Sequence, residues 1–422
     1  MPFEMTLFLV MVGVFAAGAF IVKLPVSISM LLAAFCALLV SGNGLGVRHL
    51  VEGTFGYVDT ILVIATAMIF MRAVQESGAL EALNIVIIKR FRGVPVLLLP
   101  LLMLVAMFPG MITGSSSASV LTAGAVVAPV LMILGMPIAS AGAFIAMAGI
   151  LGMIAPPVNI PAMIIGGGID MPFVGFEVPL LLLTMPLAIL FSWWLGLKYV
   201  KKTAWEDLAP KLDLATYGRY GPRLFIPILV VATLMVLGKV VPGIFGLGLP
   251  VVFLIGAALG CVVGKRFNIL QAAKAAVNDA LPVLGILAGV GMFIQVMTLT
   301  GVRGFVVVSA LSVPQALLFV AIAVTMPLFG AVSSFGSASV LGVPFLLALL
   351  GRDQIVTAAA LSLIAALGDF MPPTALSAIF AAQVVGEEKY SRVLGKLILP
   401  SLAIVIWALV FIAFSKQIQA MF

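Results

Sequence analysis

The sequence predicts an all-α, polytopic membrane protein with about 11–12 transmembrane helices arranged in two repeats. Three observations predict it. The 422 residues are 64% hydrophobic and 9% charged, with a mean hydropathy of +1.32. A soluble domain of this size cannot hide so much apolar surface. Apolar runs of about 18 residues or more recur from end to end, each long enough to cross a bilayer. Finally, one unusual string occurs twice. Gly114-Ser115-Ser116-Ser117-Ala118-Ser119-Val120-Leu121 returns as Ser334-Phe335-Gly336-Ser337-Ala338-Ser339-Val340-Leu341. Each copy is followed by a second shared string, Leu151-Gly152-Met153-Ile154-Ala155-Pro156-Pro157 and Leu367-Gly368-Asp369-Phe370-Met371-Pro372-Pro373.

Apolar runs and breakers set the elements in order. Spans are expected near 5–22, 24–41, 57–77 and 94–108. Residues 5–22 lack a basic leading region and a small-residue cleavage site, so they read as a first transmembrane helix. A hairpin over about 109–135 follows, then a long broken helix over about 137–169 and a span at 178–200. These form a first repeat over 1–200. The stretch 201–222 carries Lys201, Lys202, Glu206, Asp207, Lys211, Asp213 and Arg219 and is expected to be a cytoplasmic linker by the positive-inside rule. The second repeat, 223–422, has spans at 223–241, 246–263, 280–299 and 313–328. Its hairpin covers about 329–350, its broken helix about 354–385, and its last span about 395–415.

The repetition reaches beyond the hairpins. Leu24-Pro25-Val26 matches Leu249-Pro250-Val251, Cys36 pairs in register with Cys261, and Gly78 corresponds to Gly301. Duplications of this kind are commonly inverted in secondary transporters. An inverted repeat needs an odd number of crossings between corresponding points, and the spans above give six. One assigned span must then lie at half depth or in the interface. A second basic cluster, Lys89, Arg90 and Arg92, conflicts with the linker over which side is cytoplasmic.

Several function classes fall away. The net charge of +7 is no nucleic-acid signal, because the basic residues sit in loops between spans, where they orient the chain and meet anionic lipid. Two cysteines inside apolar helices argue against a disulfide and cannot close a metal site. His49 sits beside Arg48 and Glu52 as an interfacial residue. Trp193, Trp194 and Trp407 lie near helix ends or polar turns, where anchoring at the interface is their usual role. Arg72, Glu76, Glu81 and Lys89 suggest an amphipathic connector. No G-x-x-x-x-G-K-[ST] string occurs, and no nucleophile–base pair or metal cluster is visible, so neither ATP use nor enzyme chemistry is expected. No cofactor is expected beyond a coupling ion.

What remains is a cavity. Small polar residues and paired prolines belong in a membrane only where they are buried or line a site. In each hairpin, two short helices should meet at a serine-rich tip, with Ser116 and Ser337 at matched helix starts. Free N–H groups at such a start suit a carboxylate. Serine hydroxyls can donate to the same anion or turn and accept from a cation. The Pro156-Pro157 and Pro372-Pro373 breaks lack N–H donors and free carbonyls for an ion or substrate. Candidate substrate ligands are Ser115, Ser116, Ser117, Asn159, Ser334, Ser337 and Thr374. Candidate ion-coupling positions are Gly114, Pro156, Ser333, Asp369 and Pro372. Asp369 is an acid at hydrocarbon depth, a functional hypothesis by default. With no basic residue nearby in sequence, its expected partner is a mobile cation. Packing, kinking and helix capping are the bland alternatives for the serines, the prolines and Asp369 respectively.

These strings resemble the ion transporter superfamily, and most of all the large membrane subunit of tripartite ATP-independent periplasmic (TRAP) transporters. The supporting motifs are Thr113-Gly114-Ser115, Gly149-Ile150-Leu151-Gly152-Met153-Ile154-Ala155-Pro156-Pro157 and Leu399-Pro400-Ser401. The resemblance implies a bacterial inner-membrane carrier with a scaffold, a mobile transport domain and sodium-driven, elevator-like import of an organic acid. It also implies a small membrane subunit and a periplasmic binding protein as partners. By position, the hairpin roles fall on Ser115, Ser116, Ser117, Ser333, Ser334 and Ser337, and the break roles on Pro156, Pro157, Asn159, Pro372, Pro373 and Thr374. The sequence departs from the family pattern at Val158, at Met371 and Thr374-Ala375, and in the second hairpin, which is closer to gluconate-type carriers. A stand-alone, proton-coupled gluconate or dicarboxylate carrier using Asp369 is therefore the second reading. An intramembrane enzyme and a channel are the other classes.

Overall fold

The computed structural model describes residues 2–200 and 214–421. Most of the predicted linker, 201–213, lies outside the described residues. Apart from short turns of helix, the elements before the linker are α1 Phe3–Ile21, α2 Val26–Val40, α3 Val47–Phe55, α4 Val58–Ser77, α5 Ala79–Phe91, α6 Pro95–Thr113, α7 Ser116–Ile133, α8 Ile138–Ile154, α9 Ile160–Gly167 and α10 Glu177–Gly196. After it come α11 Tyr217–Val240, α12 Leu249–Val263, α13 Ile269–Leu299, α14 Val302–Leu311, α15 Gln315–Gly330, α16 Ser334–Ala348, α17 Gln354–Phe370, α18 Leu376–Val385 and α19 Tyr390–Ala413. Among the described residues, 8 of these helices are long and apolar enough to cross a membrane.

Local chemistry sets the boundaries. Asn159, Asn268 and Asp353 each accept a hydrogen bond from a backbone N–H in the first turn of α9, α13 and α17, as helix starts require. Gly78 ends α4 and Gly386 ends α18 in the left-handed conformation that favours glycine. Gly301, the counterpart of Gly78, is also left-handed, at the end of α13.

Three spans differ from expectation, one of them α13, which begins at Ile269 where the sequence places a span only from about 280. The sequence places a span at 94–108 and starts a separate hairpin at 109. Instead, α6 runs unbroken from Pro95 to Thr113 through Pro109, and α7 begins after two residues. Pro109 removes one donor without stopping the helix, and its own carbonyl accepts the Thr113 hydroxyl at 2.7 Å. In the second half, α15 likewise runs from Gln315 to Gly330. The arms of the hairpins are thus longer than predicted. Of the four residues that suggested an amphipathic connector, Arg72 and Glu76 lie in α4, 2.9 Å apart, and Glu81 and Lys89 lie in α5. A further short amphipathic helix, α3, carries Arg48, His49 and Glu52. There the Arg48 guanidinium, 2.7 Å from Glu52, holds its carboxyl below the usual range.

The helices pack in two groups. In one, α1–α4 pack with α11, α12 and α13. In the other, α6–α10 pack with α15–α19 around α8 and α17, whose residues are buried along almost their whole length. Between the groups lie α5, against α4 and α6, and α14, against α1, α13 and α16. Direct links also exist. The Tyr57 hydroxyl donates to the Ile164 carbonyl at 2.9 Å, and Phe15 stacks on Phe329 with centroids 5.5 Å apart. Trp407 and Trp193 are more than interfacial anchors. Each indole N–H donates to a carbonyl of a neighbouring helix, Leu183 at 3.0 Å and Val96 at 2.9 Å.

Candidate functional site

Both hairpin tips begin their second arm on a serine cap. Gly114 closes α6 with φ +65, and a Cβ there would strike Ile160 and Val158. Only glycine meets both demands. The Ser115 hydroxyl accepts from Ala118 N at 3.3 Å, and the Ser333 hydroxyl from Gly336 N at 3.2 Å. Each second arm then contains one wide π turn, Val120–Gly124 and Ala338–Gly342, a feature frequent at functional sites.

This geometry corrects the register taken from the repeated string. The string aligns Ser337 with Ser117 and treats Ser116 and Ser337 as matched helix starts. In the structure the matched starts are Ser116 and Ser334, one residue after the caps. Ser337 matches Ser119: the Ser119 hydroxyl donates to the Met107 carbonyl at 3.2 Å, and the Ser337 hydroxyl to that of Met326 at 2.7 Å. Both are buried and tie one hairpin arm to the other. The register slips by two because similarity among Ser, Ala and Val does not fix a cap. The cap is fixed by the preceding turn, which is one residue longer in the second hairpin.

The two tips converge on Asp369. This residue lies in the last turn of α17, 6% exposed. Its carboxylate accepts a hydrogen bond from the Ser116 hydroxyl and is within hydrogen-bonding reach of the Ser334 hydroxyl. Glycines permit the approach. A Cβ on Gly330 of α15 or on Gly368 would run into the backbone of the other, and in the first half a Cβ on Gly110 of α6 would meet Ser119 and the Gly152 backbone of α8, and one on Gly152 the Met107 backbone. Asp369 is not the cap of the following helix, since α18 starts at Leu376 after Ala375, with no side-chain cap. Its protein partners are hydroxyls of both hairpins, a convergence that spacing in sequence cannot reveal.

Once Ser116 donates to Asp369, its oxygen has only lone pairs left. Those lone pairs can accept from a donor or face a cation. Asp369, Ser116 and Ser334 offer oxygens from three segments, a donor set for a hard cation or a proton.

The breaks differ. Both Pro–Pro bonds are cis. At the first break, Pro156 and Asn159 are buried. The Asn159 amide accepts from Ala162 N at 2.9 Å and donates to the Ile154 carbonyl at 3.0 Å and the Ser362 hydroxyl at 2.9 Å. That last bond reaches α17, the helix of Asp369. The Val158 N–H donates to the Met111 carbonyl in the first hairpin at 3.1 Å. At the second break, Pro372 and Pro373 are exposed, and Thr374 makes one bond, donating to the Ala331 carbonyl at 2.7 Å. Ser117 is half-buried at its tip. Reasoning from sequence missed Ser362, Tyr57 and the glycine crossings. Of these, only the glycines left a signal, as Gly110 and Gly152 have counterparts at Gly330 and Gly368.

Each break borders a cavity on the other packing group. Pro156 and Pro157 share one of about 510 Å³ with Glu177, Lys239 and Leu249. Pro373 and Thr374 share one of about 450 Å³ with Lys23, Leu24 and Pro25. The matched Leu24-Pro25 and Leu249-Pro250 turns thus each face the break of the opposite half.

The family model "Tripartite ATP-independent periplasmic transporter, DctM component" matches residues 10–418. The chain belongs to that family. It is a multi-pass, TRAP-type transporter component, as its hairpin and Pro-Pro motifs suggest. Among solved structures, it is similar to the Alcanivorax borkumensis YdaH transporter, with 16% identity, 87% of each chain covered and a TM-score of 0.59. It is also similar to Neisseria gonorrhoeae MtrF, described with a class of antimetabolite efflux pumps, with 11% identity, 87% of this chain and 83% of that one covered, and a TM-score of 0.58. At these identities the likeness is one of fold. No curated protein matches the sequence.

Proposed function

We propose that the chain is the large subunit of a sodium-coupled importer of a small organic acid, such as a dicarboxylate or sugar acid, in a bacterial inner membrane. A small membrane subunit and a periplasmic binding protein complete it, as the family's tripartite description indicates. The observation that carries this reading is the meeting of both hairpin tips on Asp369. A buried carboxylate beside two hydroxyls is a place where a cation's arrival changes both hairpins at once. The two packing groups support elevator movement, with α6–α10 and α15–α19 as the mobile body and the rest as the scaffold. Counting α6 with α7, and α15 with α16, as re-entrant hairpins leaves five crossings between corresponding points. Five is odd, as an inverted repeat requires. Halves at 1–200 and 223–422 then follow.

The test is uptake by proteoliposomes holding the complete three-part transporter, with a panel of labelled organic acids and imposed sodium or proton gradients. A sodium gradient should drive accumulation. Equal uptake with and without either gradient would remove the coupled-carrier reading. The second reading, proton coupling, rests on the same Asp369. In Asp369→Asn, sodium coupling predicts lost sodium dependence with the pH profile little changed. Proton coupling predicts the reverse, since an amide does not titrate.

A further inference from the structure

We propose that Lys23 is the docking cation for the substrate's carboxylate at the second break, an inference that rests on the organic-acid reading above. Three observations carry it. Lys23 borders the cavity of about 450 Å³ formed by the α1–α2 turn with Val332, Pro373 and Thr374, and no acidic residue lines that cavity. Among the described residues, Lys23 has no ion-pair partner. The matching cavity at the first break also has a lysine, Lys239, but Glu177 sits 2.7 Å from it and neutralises it. Of two cavities related by the repeat, only one therefore presents uncompensated positive charge.

The neighbouring groups narrow the chemistry. The Thr374 hydroxyl donates to the Ala331 carbonyl, so its oxygen can only accept. Prolines 25 and 373 contribute no N–H. The cationic donor in this cavity is the ammonium of Lys23. It is held at the cavity edge by an unusual backbone, with φ +59 at a residue other than glycine, a conformation that persists only where the surroundings impose it. Val332 lies two residues before Ser334, so an anion gripped here sits next to the second hairpin tip. Lys23 lies in the packing group opposite that tip, so it meets the substrate only while the second break stands beside the α1–α2 turn. It acts as a receiving post and does not travel with the mobile body.

The test compares Lys23→Asn, Lys23→Arg and the wild type in the complete transporter, with labelled succinate and gluconate as probes. Asparagine tolerates the left-handed backbone and removes the charge. Lys23→Asn should raise KM about tenfold, with Vmax within about twofold. Lys23→Arg should keep KM near the wild type. Added salt should raise KM for the wild type and the Arg variant, but not for Asn. The assay is repeated in liposomes with and without phosphatidylglycerol. An unchanged KM in Lys23→Asn, or a fall in Vmax alone, overturns the inference. So does a KM effect that disappears in neutral lipid, which would make Lys23 a lipid anchor. If the wild type takes up neither probe, the organic-acid reading falls and this inference with it. If the wild type takes one up and Lys23→Asn matches its KM, only the inference falls.

Discussion

The two breaks are built from the same Pro-Pro string and end in different states. The first is buried and stapled by Asn159 to its own helix, to the start of α9 and to α17. The second is exposed, and the one side-chain bond from its polar residue runs from Thr374 to the second hairpin. Repetition in sequence therefore fixes where the chain breaks, and neighbouring residues decide which break is open. The polar group after the first break serves the fold. Both breaks border a cavity, and the polar residue of the second holds only one bond beside its own.

This contrast can be tested at four points. The largest effect should come from the shared centre. Ser116→Ala combined with Ser334→Ala leaves Asp369 without its two hydroxyls. The half-saturating concentration of the coupling ion should rise at least about tenfold, as expected for lost charge-assisted bonds of about 1.5–3 kcal/mol. An unchanged ion dependence would mean that the hairpins meet at Asp369 for packing alone. Next is Asn159→Ala, which orphans a helix start, a carbonyl and a hydroxyl in a buried place. It should lower stability by about 2–4 kcal/mol, read as earlier thermal unfolding in detergent. Gly368→Ala forces a methyl against the Gly330 backbone and should cost about 1–3 kcal/mol. It should also loosen the geometry around Asp369, so coupling should suffer along with stability. The smallest effect is Thr374→Val, about 1 kcal/mol for one half-buried bond. Should Thr374→Val unfold the protein as readily as Asn159→Ala, the two breaks would not differ in the way their hydrogen bonds suggest.

Much of this architecture was legible beforehand, for identifiable reasons. Proline pairs and left-handed glycines act locally, so the break positions and the ends at Gly78 and Gly301 could be read directly. Asp369 stood out because ionisable residues are rare at that depth. The hairpin register was not legible, because Ser, Ala and Val repeat too freely to mark a cap and the turn before the second tip is longer. The extent of α6 was hidden by Pro109, whose missing donor is accommodated inside the helix. Lys23 gave no signal at all. Beside Val22 and Leu24 it looks like any charge ending a span, and its cavity is closed by Val332, Pro373 and Thr374, far away in sequence.

The backbone contact between Gly330 and Gly368 has a mechanical consequence. Where side chains separate two helices, a small displacement of one can be absorbed by a change of rotamer in the other. Here there is no side chain to yield. If a cation binds beside Asp369 as proposed, its push on the last turn of α17 would pass to the arm of the second hairpin with no rotamer to absorb it. Under the proposed coupling, such a joint would turn a change in charge at one residue into a displacement of a whole element.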